Sequence, residues 1–385
     1  MPTEYLNQKV KALHPSIIRQ FFDIAATMKD IISLGIGEPD FTTPTPIIQA
    51  GMEALRQGQT HYTSNIGMLE LRQAICNRLQ KLYALTYQPD EVIITVGGSE
   101  ALYLAVTALL EAGDEVIIPT PCFVSYQPEV ILAGGVPIEI PTSLEKNFNL
   151  DIPAIEKTIT PRTKAILINS PNNPTGAVAS RTCLLELARI AEEHDLIVIS
   201  DEIYDRLIYG VEHTCFSALP NMQKRTILIG GFSKDYAMTG WRLGYVAAPP
   251  ELIQGMLLIH QYTIMTAPTI SQAAGITAIL ECDEQVEAMR QEYDSRRRLI
   301  VDGLNKIGLP TVEPHGAFYV FPKVSVTGLD GMAFATRLLN EKKVAAVPGK
   351  AFGKGGEDFV RCSYATATNQ IEEALERIEQ FVKSL

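Results

Sequence analysis

The segment GGFSKDYAMTGWRLGY, residues 230–245, places a lysine eight residues before an arginine. Lys234 directly follows an apolar run that predicts a strand, and open α/β sheets bind ligands beyond the carboxyl ends of their strands. A lysine that forms an imine must lose its proton, and a nearby cation such as Arg242 lowers its pKa. The forked guanidinium of Arg242 also suits a phosphate. An isolated lysine near glycines is usually just exposed, so this segment needs support from other parts of the chain.

A second candidate site lies in VIITVGGSEALYLAVTALL, residues 92–110, which has the pattern of a strand, a glycine turn and a helix. Gly98 and Ser99 stand where this helix would begin. Free backbone N–H groups and the helix dipole make such a position favourable for an anion. Glycine turns between strands and helices are also common without any ligand, so the pattern alone leaves both interpretations open.

Polar side chains follow two further apolar runs. Asp201 ends a run in LIVISDEIYDRLIYG, with Tyr204 three residues later, and Asn173 lies in the turn-forming segment NSPNNPTG. Asp201 could cap the N-terminus of a helix. It could also keep a pyridinium nitrogen protonated, so that the ring withdraws electrons from a carbanion. Asn173 could belong to a simple turn, or could bond the phenolate oxygen of the same ring.

Two segments near the ends of the chain complete the candidate set. LGIGEPDF, residues 34–41, is an early glycine turn that contains Gly37, and VRCSYA, residues 360–365, places Arg361 on a late strand. An arginine in an apolar strand needs a partner, and the carboxylate of a ligand fits its planar fork. A structural salt bridge explains Arg361 equally well at this stage.

The elements that must position these residues are short apolar runs alternating with helical patterns. Several runs are apolar on both faces, which is typical of a sheet covered by helices from both sides. The predicted strands are residues 92–96, 115–119, 136–140, 164–169, 196–200, 226–229 and 243–247. A clear helical pattern between them covers residues 181–194.

The pattern changes after about residue 285, where a charged helical stretch (285–307) leads to short runs at 317–321 and 344–347. The chain then ends in an amphipathic helix that includes Ile371 and Ile378. We therefore predict a large α/β domain over residues 46–285. A smaller α+β domain would consist of residues 1–45 together with residues 286–385.

Composition argues against several other classes of protein. The 385 residues have a net charge of −11, and the charges are mixed, whereas nucleic-acid binding needs a clustered basic surface. No apolar run approaches the roughly 20 residues of a membrane helix, and the N-terminus lacks an apolar signal core, so a cytoplasmic location is expected. The six scattered cysteines predict free thiols, and the six dispersed histidines give no support for a metal site.

Taken together, in their order and spacing, these segments resemble the class I/II aminotransferases of pyridoxal-phosphate fold type I, such as prokaryotic aspartate and aromatic aminotransferases. SKDYAMTGWRLGY is the most specific segment, and NNPTG and SDEIY support it. The resemblance implies an α/β fold with a mostly parallel seven-stranded sheet, covered by helices on both faces, plus a smaller α+β domain. It also implies pyridoxal 5'-phosphate as the cofactor.

The resemblance gives the catalytic role to Lys234, which would hold the cofactor through an imine and then move the substrate's proton. Asp201 would pair with the pyridine nitrogen, while Asn173 and Tyr204 would contact the phenolate oxygen. Phe123, in PTPCFVSY, would stack on the ring. The residues that would hold the phosphate are Gly98, Ser99, Ser233 and Arg242.

Substrate binding and assembly also follow from the resemblance. Arg361 would clamp the substrate's α-carboxylate, with the backbone of Gly37 close by and with Phe123 and Asn173 beside the substrate. Tyr62, in HYTSNIG, resembles a tyrosine that reaches the phosphate of the neighbouring subunit. The resemblance therefore implies a homodimer with shared active sites.

The expected reaction moves an amino group between an L-amino acid, such as aspartate or an aromatic amino acid, and a 2-oxo acid. Glutamate and 2-oxoglutarate are the expected second pair. The same fold and lysine would also support a carbon–sulfur lyase, which product analysis separates from transamination. Aminotransferase-like domains also occur in transcription regulators with a DNA-binding head, but this chain starts almost at once with family sequence, so that function is not expected.

Overall fold

The computed structural model describes residues 5–13, 15, 17, 18, 28 and 30–385. Its strands are β1 (Ile32–Ser33), β2 (Val92–Thr95), β3 (Glu115–Thr120), β4 (Val136–Pro141), β5 (Thr163–Asn169), β6 (Ile197–Asp201), β7 (Thr226–Gly231), β8 (Gly244–Ala247), β9 (Tyr319–Val320), β10 (Val344–Ala345), β11 (Val347–Pro348) and β12 (Val360–Ser363). Its α-helices are α1 (Gln8–Lys11), α2 (Thr45–Arg56), α3 (Leu69–Tyr83), α4 (Gly97–Leu109), α5 (Tyr126–Ala133), α6 (Ile152–Thr158), α7 (Arg181–Glu193), α8 (Pro250–Thr263), α9 (Thr269–Glu281), α10 (Asp283–Ile307), α11 (Gly331–Lys342) and α12 (Thr368–Lys383).

Seven of these strands form one sheet in the order β2-β8-β7-β6-β5-β3-β4. β8 runs antiparallel to β2 and to β7, whereas every other neighbouring pair is parallel. Parallel neighbours need long crossover connections, and helices such as α7, between β5 and β6, supply them. The mostly parallel seven-stranded sheet that the resemblance implied is confirmed.

Helices cover both faces of the sheet because side chains along a strand alternate between two apolar cores. In β3, Val116 and Ile118 share one core with Leu104 of α4, whereas Ile117 shares the other with Leu187 of α7. All five side chains are fully buried. Each contributes about 1.5–3 kcal/mol through its removal from water.

All seven predicted strands of this sheet are confirmed, with ends that differ by one or two residues. The largest difference is in β7, which continues through Gly230 and Gly231 beyond its apolar run. A Cβ at Gly230 would overlap the ring of Tyr245, and a Cβ at Gly231 would lie 2.6 Å from Cδ1 of Ile203. Only glycine fits at these two strand positions. Because glycine has no apolar side chain, the apolar pattern did not include them in the predicted strand.

β1 and the C-terminal strands form two smaller sheets. β1 pairs in parallel with β10, and β12 lies between β11 and β9 in an antiparallel sheet. The predicted run 344–347 divides into β10 and β11, and the run 317–321 is reduced to β9. In α12, Ile371 and Ile378 are buried, as the predicted amphipathic face requires. The division of the chain into domains 46–285 and 1–45 with 286–385 stays a prediction.

The cysteines and the longest helix are two further features of the fold. The six cysteines are free thiols, and all except Cys183 are buried. The longest described helix, α10, has 25 residues. Among the helices that the structure describes, none has both the length and the apolar character needed to cross a bilayer.

Candidate functional site

A cavity of about 380 Å³ opens at the carboxyl ends of the central parallel strands. Asn169 ends β5, Asp201 ends β6, and Lys234 follows shortly after β7. The carboxyl ends of parallel strands meet at one edge of a sheet, so these distant residues come together there. All of the predicted site residues except Tyr62 line the cavity: Gly37, Gly98, Ser99, Phe123, Asn173, Asp201, Tyr204, Ser233, Lys234, Arg242 and Arg361.

Lys234 presents its amine to this cavity. Nζ donates a hydrogen bond to the carbonyl oxygen of Gly37 at 2.6 Å. Burial lowers the pKa of Lys234 to about 8, and the positive charge of Arg361 acts in the same direction. The amine is therefore a free base far more often at neutral pH than an ordinary lysine, as imine formation requires.

Asp201 is held by two hydrogen bonds. Oδ1 accepts one from the backbone N–H of Ile203 at 3.2 Å, and Oδ2 accepts one from the hydroxyl of Tyr126 at 2.6 Å. Burial raises the pKa of Asp201 to about 6, and both hydrogen bonds oppose the rise. The carboxylate is thus ionised at pH 7. No α-helix begins at Asp201, which caps only a short turn, so the helix-cap interpretation is wrong.

Arg361 extends from β12 and is buried at the cavity wall. Nη1 donates a hydrogen bond to Oδ1 of Asn173 at 3.0 Å, and Nη2 donates one to the carbonyl oxygen of Gly35 at 2.6 Å. Nε has no hydrogen-bond partner among the described residues. Burial lowers the pKa of Arg361, and no aspartate or glutamate among the described residues opposes this effect. A structural salt bridge within the described chain therefore does not explain this buried cation, and its unbonded N–H groups could receive a ligand carboxylate.

Arg242 and the first turn of α4 (Gly97, Gly98 and Ser99) form a group that we call the anion cradle. The N–H groups at the start of a helix have no partner within it, and the helix dipole favours negative charge there. Nη1 of Arg242 donates to the carbonyl oxygen of Thr239 at 3.0 Å. Gly97 has a φ of +76°, and a Cβ there would lie 2.6 Å from Nη2 of Arg242. Glycine at this position therefore lets the guanidinium approach the helix start.

Several polar residues that line the cavity were missed from the sequence: Glu38, Tyr126, Asn169, Thr239 and Tyr319. Asn169 donates through Nδ2 to the carbonyl oxygen of Asp201 at 2.9 Å, and its Oδ1 accepts the N–H of Asn173 at 2.8 Å. The hydroxyl of Tyr319 lies 3.0 Å from that of Tyr204. Asn169 ends a predicted strand, and that position was an available signal. Tyr319 is in the middle of the predicted run 317–321, whose pattern does not tell which tyrosine faces a cavity.

Tyr62 is the predicted site residue that lies outside the cavity. It is 79% exposed, so its proposed contact with a neighbouring subunit stays a prediction. Phe123, by contrast, lines the cavity and packs its ring against that of Tyr126, with the centroids 5.7 Å apart. This place in the cavity lining is consistent with a stacking role, which also stays a prediction.

A lysine, an ionised acid and an anion cradle at the carboxyl edge of such a sheet define the pyridoxal-phosphate enzymes of fold type I. Residues 29–378 match the family model described as aminotransferase class I and II. The chain belongs to this family and is a pyridoxal-phosphate-dependent aminotransferase.

Relatives and solved structures agree with this family along nearly the whole chain. The chain is 50% identical to an aspartate aminotransferase from Pyrococcus abyssi, over 98% of each protein. It is 46% identical to aromatic-amino-acid aminotransferase 2 from Thermococcus litoralis, again over 98% of each. The crystal structure of an aromatic aminotransferase from Pyrococcus horikoshii superimposes with a TM-score of 0.91 at 48% identity, covering 95% of this chain and 99% of that one.

The residues around the cavity fit pyridoxal phosphate. A lysine amine with a lowered pKa suits its carbonyl, an ionised carboxylate suits its ring nitrogen, and the anion cradle suits its phosphate. The guanidinium of Arg361, whose Nε has no partner in the part of the chain that the structure describes, remains for a substrate carboxylate. A volume of about 380 Å³ is within the usual size of pockets for small ligands.

Proposed function

We propose that this aminotransferase moves an amino group between an L-amino acid (aspartate, aromatic or similar) and a 2-oxo acid, with glutamate and 2-oxoglutarate as one pair. The relatives include proteins named for aspartate and for aromatic amino acids, which supports this range of substrates. One observation carries the proposal. A lysine amine with a lowered pKa lines the same cavity as an arginine that has no acidic partner among the described residues.

Lys234 is the proposed catalytic residue. Pyridoxal phosphate, when bound, supplies a carbonyl that condenses with amines and a ring that withdraws electrons from the substrate's Cα. Lys234 would bind this group through Nζ. As a free base, the same Nζ would take the proton from Cα and return it, because an amine whose pKa is near the working pH both accepts and releases protons.

Four residues are proposed to hold the ring of the cofactor. The ionised carboxylate of Asp201 would hold a proton on the ring nitrogen, and Phe123 would cover one ring face. Asn173 and Tyr204 would donate hydrogen bonds to the phenolate oxygen. Because burial keeps the pKa of Tyr204 well above its ordinary value, its hydroxyl remains a donor at neutral pH.

The phosphate of the cofactor and the α-carboxylate of the substrate would bind at two separate cationic sites. Gly98 and Ser99 of the anion cradle, with Arg242 and Ser233, would hold the phosphate. Arg361 would bind the α-carboxylate of the substrate through its planar fork, with the backbone of Gly37 beside it. Fixing that carboxylate orients the bond from Cα to its proton relative to Lys234, and such positioning supplies a large part of many enzymatic rate enhancements.

We also propose a homodimer with shared active sites and a cytoplasmic location. Tyr62 would reach the phosphate site of the neighbouring subunit. Its segment is bonded to the residues that follow α8, since Nδ2 of Asn65 donates to the carbonyl oxygen of Met265 at 2.6 Å. Tyr62 is 79% exposed, so its ring is accessible to a second subunit.

Mixing two inactive variants would test the shared sites. In a mixed dimer of Lys234→Ala and Tyr62→Ala subunits, one site would keep both an intact Lys234 and the partner's intact Tyr62. We expect activity to return when the two variants are unfolded together and refolded. No gain over the separately refolded variants would contradict the shared arrangement.

The function is tested by the absorbance of the purified protein before and after addition of a panel of amino acids. We expect a cofactor band that is absent from Lys234→Ala. Glutamate and one or more other amino acids should convert it to the pyridoxamine form, with the matching 2-oxo acid as product. This conversion would also identify the amino acid donor.

Two results would contradict the proposal in different ways. A colourless protein that takes up no added pyridoxal phosphate would contradict the role of Lys234. A coloured protein that releases ammonia and pyruvate would instead indicate a carbon–sulfur lyase. Arg189→Gln, which changes an exposed arginine in ion pairs with Glu156 and Glu193, serves as a control and should keep the wild-type spectrum.

A further inference from the structure

The guanidinium of Arg361 is bordered by aromatic rings as well as by hydrogen-bond acceptors. Its Cζ lies 4.5 Å from the ring centroid of Tyr319 and 5.0 Å from that of Phe352. A cation over an aromatic face is attracted by the ring quadrupole, and the attraction is strongest where water is excluded. The two rings thus help to keep a buried cation that has no acidic partner among the described residues.

Strand pairing puts Tyr319 beside this arginine. β9 and β12 are antiparallel, and Tyr319 is directly opposite Ser363. Arg361 is two residues before Ser363, so it is the diagonal neighbour of Tyr319 on the same face of the sheet. Diagonal neighbours are within reach of each other when the side chains are long or aromatic.

The hydroxyl of Tyr319 points to a second part of the site. It lies 3.0 Å from the hydroxyl of Tyr204. A Cβ placed on Gly37, whose carbonyl oxygen accepts the hydrogen bond from Lys234, would lie 2.8 Å from the same oxygen. Burial raises the pKa of both phenols, so one O–H serves their mutual hydrogen bond and the other is free for a ligand.

We infer that Tyr319 is a positioning residue that links substrate binding to cofactor binding. Its ring holds the guanidinium of Arg361 in the orientation that receives the α-carboxylate, and its hydroxyl aligns and polarises the hydroxyl of Tyr204. This inference rests on the roles proposed above for Arg361 and Tyr204. Phe352 contributes only a ring to the same guanidinium and belongs to a separate apolar core cluster, so the link to Tyr204 is specific to Tyr319.

Two substitutions of Tyr319 separate the ring from the hydroxyl in the holoenzyme. Tyr319→Leu removes both, and we expect KM for the amino acid donor to rise about tenfold or more with a smaller change in kcat. The same donor as its α-amide, which lacks the carboxylate, should lose little affinity in this variant. Tyr319→Phe keeps the ring and should leave KM within about twofold of wild type.

The hydroxyl is tested by the pH titration of the bound cofactor's absorbance. In Tyr319→Phe the midpoint of this titration should move to higher pH. A weaker hydrogen bond from Tyr204 leaves more negative charge on the cofactor's phenolate oxygen, and this charge holds the proton of the neighbouring imine more tightly. Tyr364→Phe is the matched control. It removes another buried hydroxyl, bonded to the carbonyl oxygen of Ala317 at 3.1 Å, and should not move the midpoint.

The possible outcomes distinguish this inference from the function itself. If the wild-type protein transaminates but Tyr319→Leu binds donor and amide with unchanged affinity, the role of the ring is wrong. If Tyr319→Phe and Tyr364→Phe titrate alike, the role of the hydroxyl is wrong. A wild-type protein without bound cofactor or transamination would remove the proposed function before any variant is compared.

Discussion

The hydroxyl of Tyr126, at the start of α5, donates a hydrogen bond of 2.6 Å to Oδ2 of Asp201, at the end of β6. Burial, and then the charge of Asp201, raises the pKa of Tyr126 well above its ordinary value, so the phenol remains a donor. Burial also raises the pKa of Asp201 to about 6, and the hydrogen bond from Tyr126 opposes that rise. Tyr126 therefore helps to keep Asp201 ionised at neutral pH.

Tyr126→Phe should raise the pKa of Asp201 further, by roughly one unit, because a hydrogen bond to the charged form is lost. About half of the carboxyls would then be protonated at pH 7, and a neutral carboxyl holds a proton on a ring nitrogen poorly. The acid limb of the kcat profile should move to higher pH, with a lower kcat at pH 7. Tyr209→Phe, which removes a buried hydroxyl bonded to Ala317, is the control. Coincident profiles of the two variants would contradict the coupling.

Lys234 should capture added pyridoxal phosphate according to its lowered pKa. The rate of cofactor binding to the apoenzyme should rise with pH around a midpoint near 8 rather than near 10.5, because only the free base forms an imine. Arg361→Gln removes a positive charge and should move the midpoint to higher pH. Stopped-flow absorbance measures the rate, and a wild-type midpoint as high as that of free lysine would contradict the prediction.

Gly97→Ala should weaken cofactor binding by displacing Arg242 from the anion cradle. The new Cβ would lie 2.6 Å from Nη2, and the guanidinium can move away more easily than the backbone can. Gly58→Ala is a close control, since Gly58 has a φ of +73° against +76° for Gly97 but no atom within 4 Å of its Cβ position. Both variants carry a similar backbone strain of roughly 1 kcal/mol. Equal affinity for pyridoxal phosphate in the two variants would show that Arg242 does not hold the phosphate.

Glu100 and His260 form a buried pair behind the anion cradle. Oε1 of Glu100 lies 2.6 Å from Nδ1 of His260, and Oε2 accepts the N–H of Val96. Glu100→Ala would leave His260 and the N–H of Val96 without this partner, so the free energy of unfolding should fall by roughly 3–5 kcal/mol. Glu53→Ala, which breaks an exposed ion pair with Arg56, should change it by less than about 1 kcal/mol. Urea unfolding of both variants measures the difference, and similar losses would contradict the structural role of Glu100.

The sequence identified the sheet and most of the cavity residues for a definite reason. The strands of a sheet covered on both faces are continuous apolar runs, and β3 or β5 is recognisable from such a run alone. Lys234 and Asp201 each follow or end a run of this kind, and carboxyl ends of parallel strands meet at one edge. Where glycines extended β7 beyond its apolar residues, the apolar pattern predicted an end two residues too early.

The sequence by itself therefore determined the order of the strands and helices along the chain and the family, and it singled out Lys234 as the candidate cofactor lysine. Only the tertiary structure decided which side chains meet across elements. Tyr126 reaches Asp201 from 75 residues away, and Tyr319 reaches Tyr204 from 115 residues away. A hydrogen bond between distant segments leaves no periodic signal in either one. The burial that lowers the pKa values of Lys234 and Arg361 is likewise a property of the packed cavity, because it depends on every element that excludes water from it.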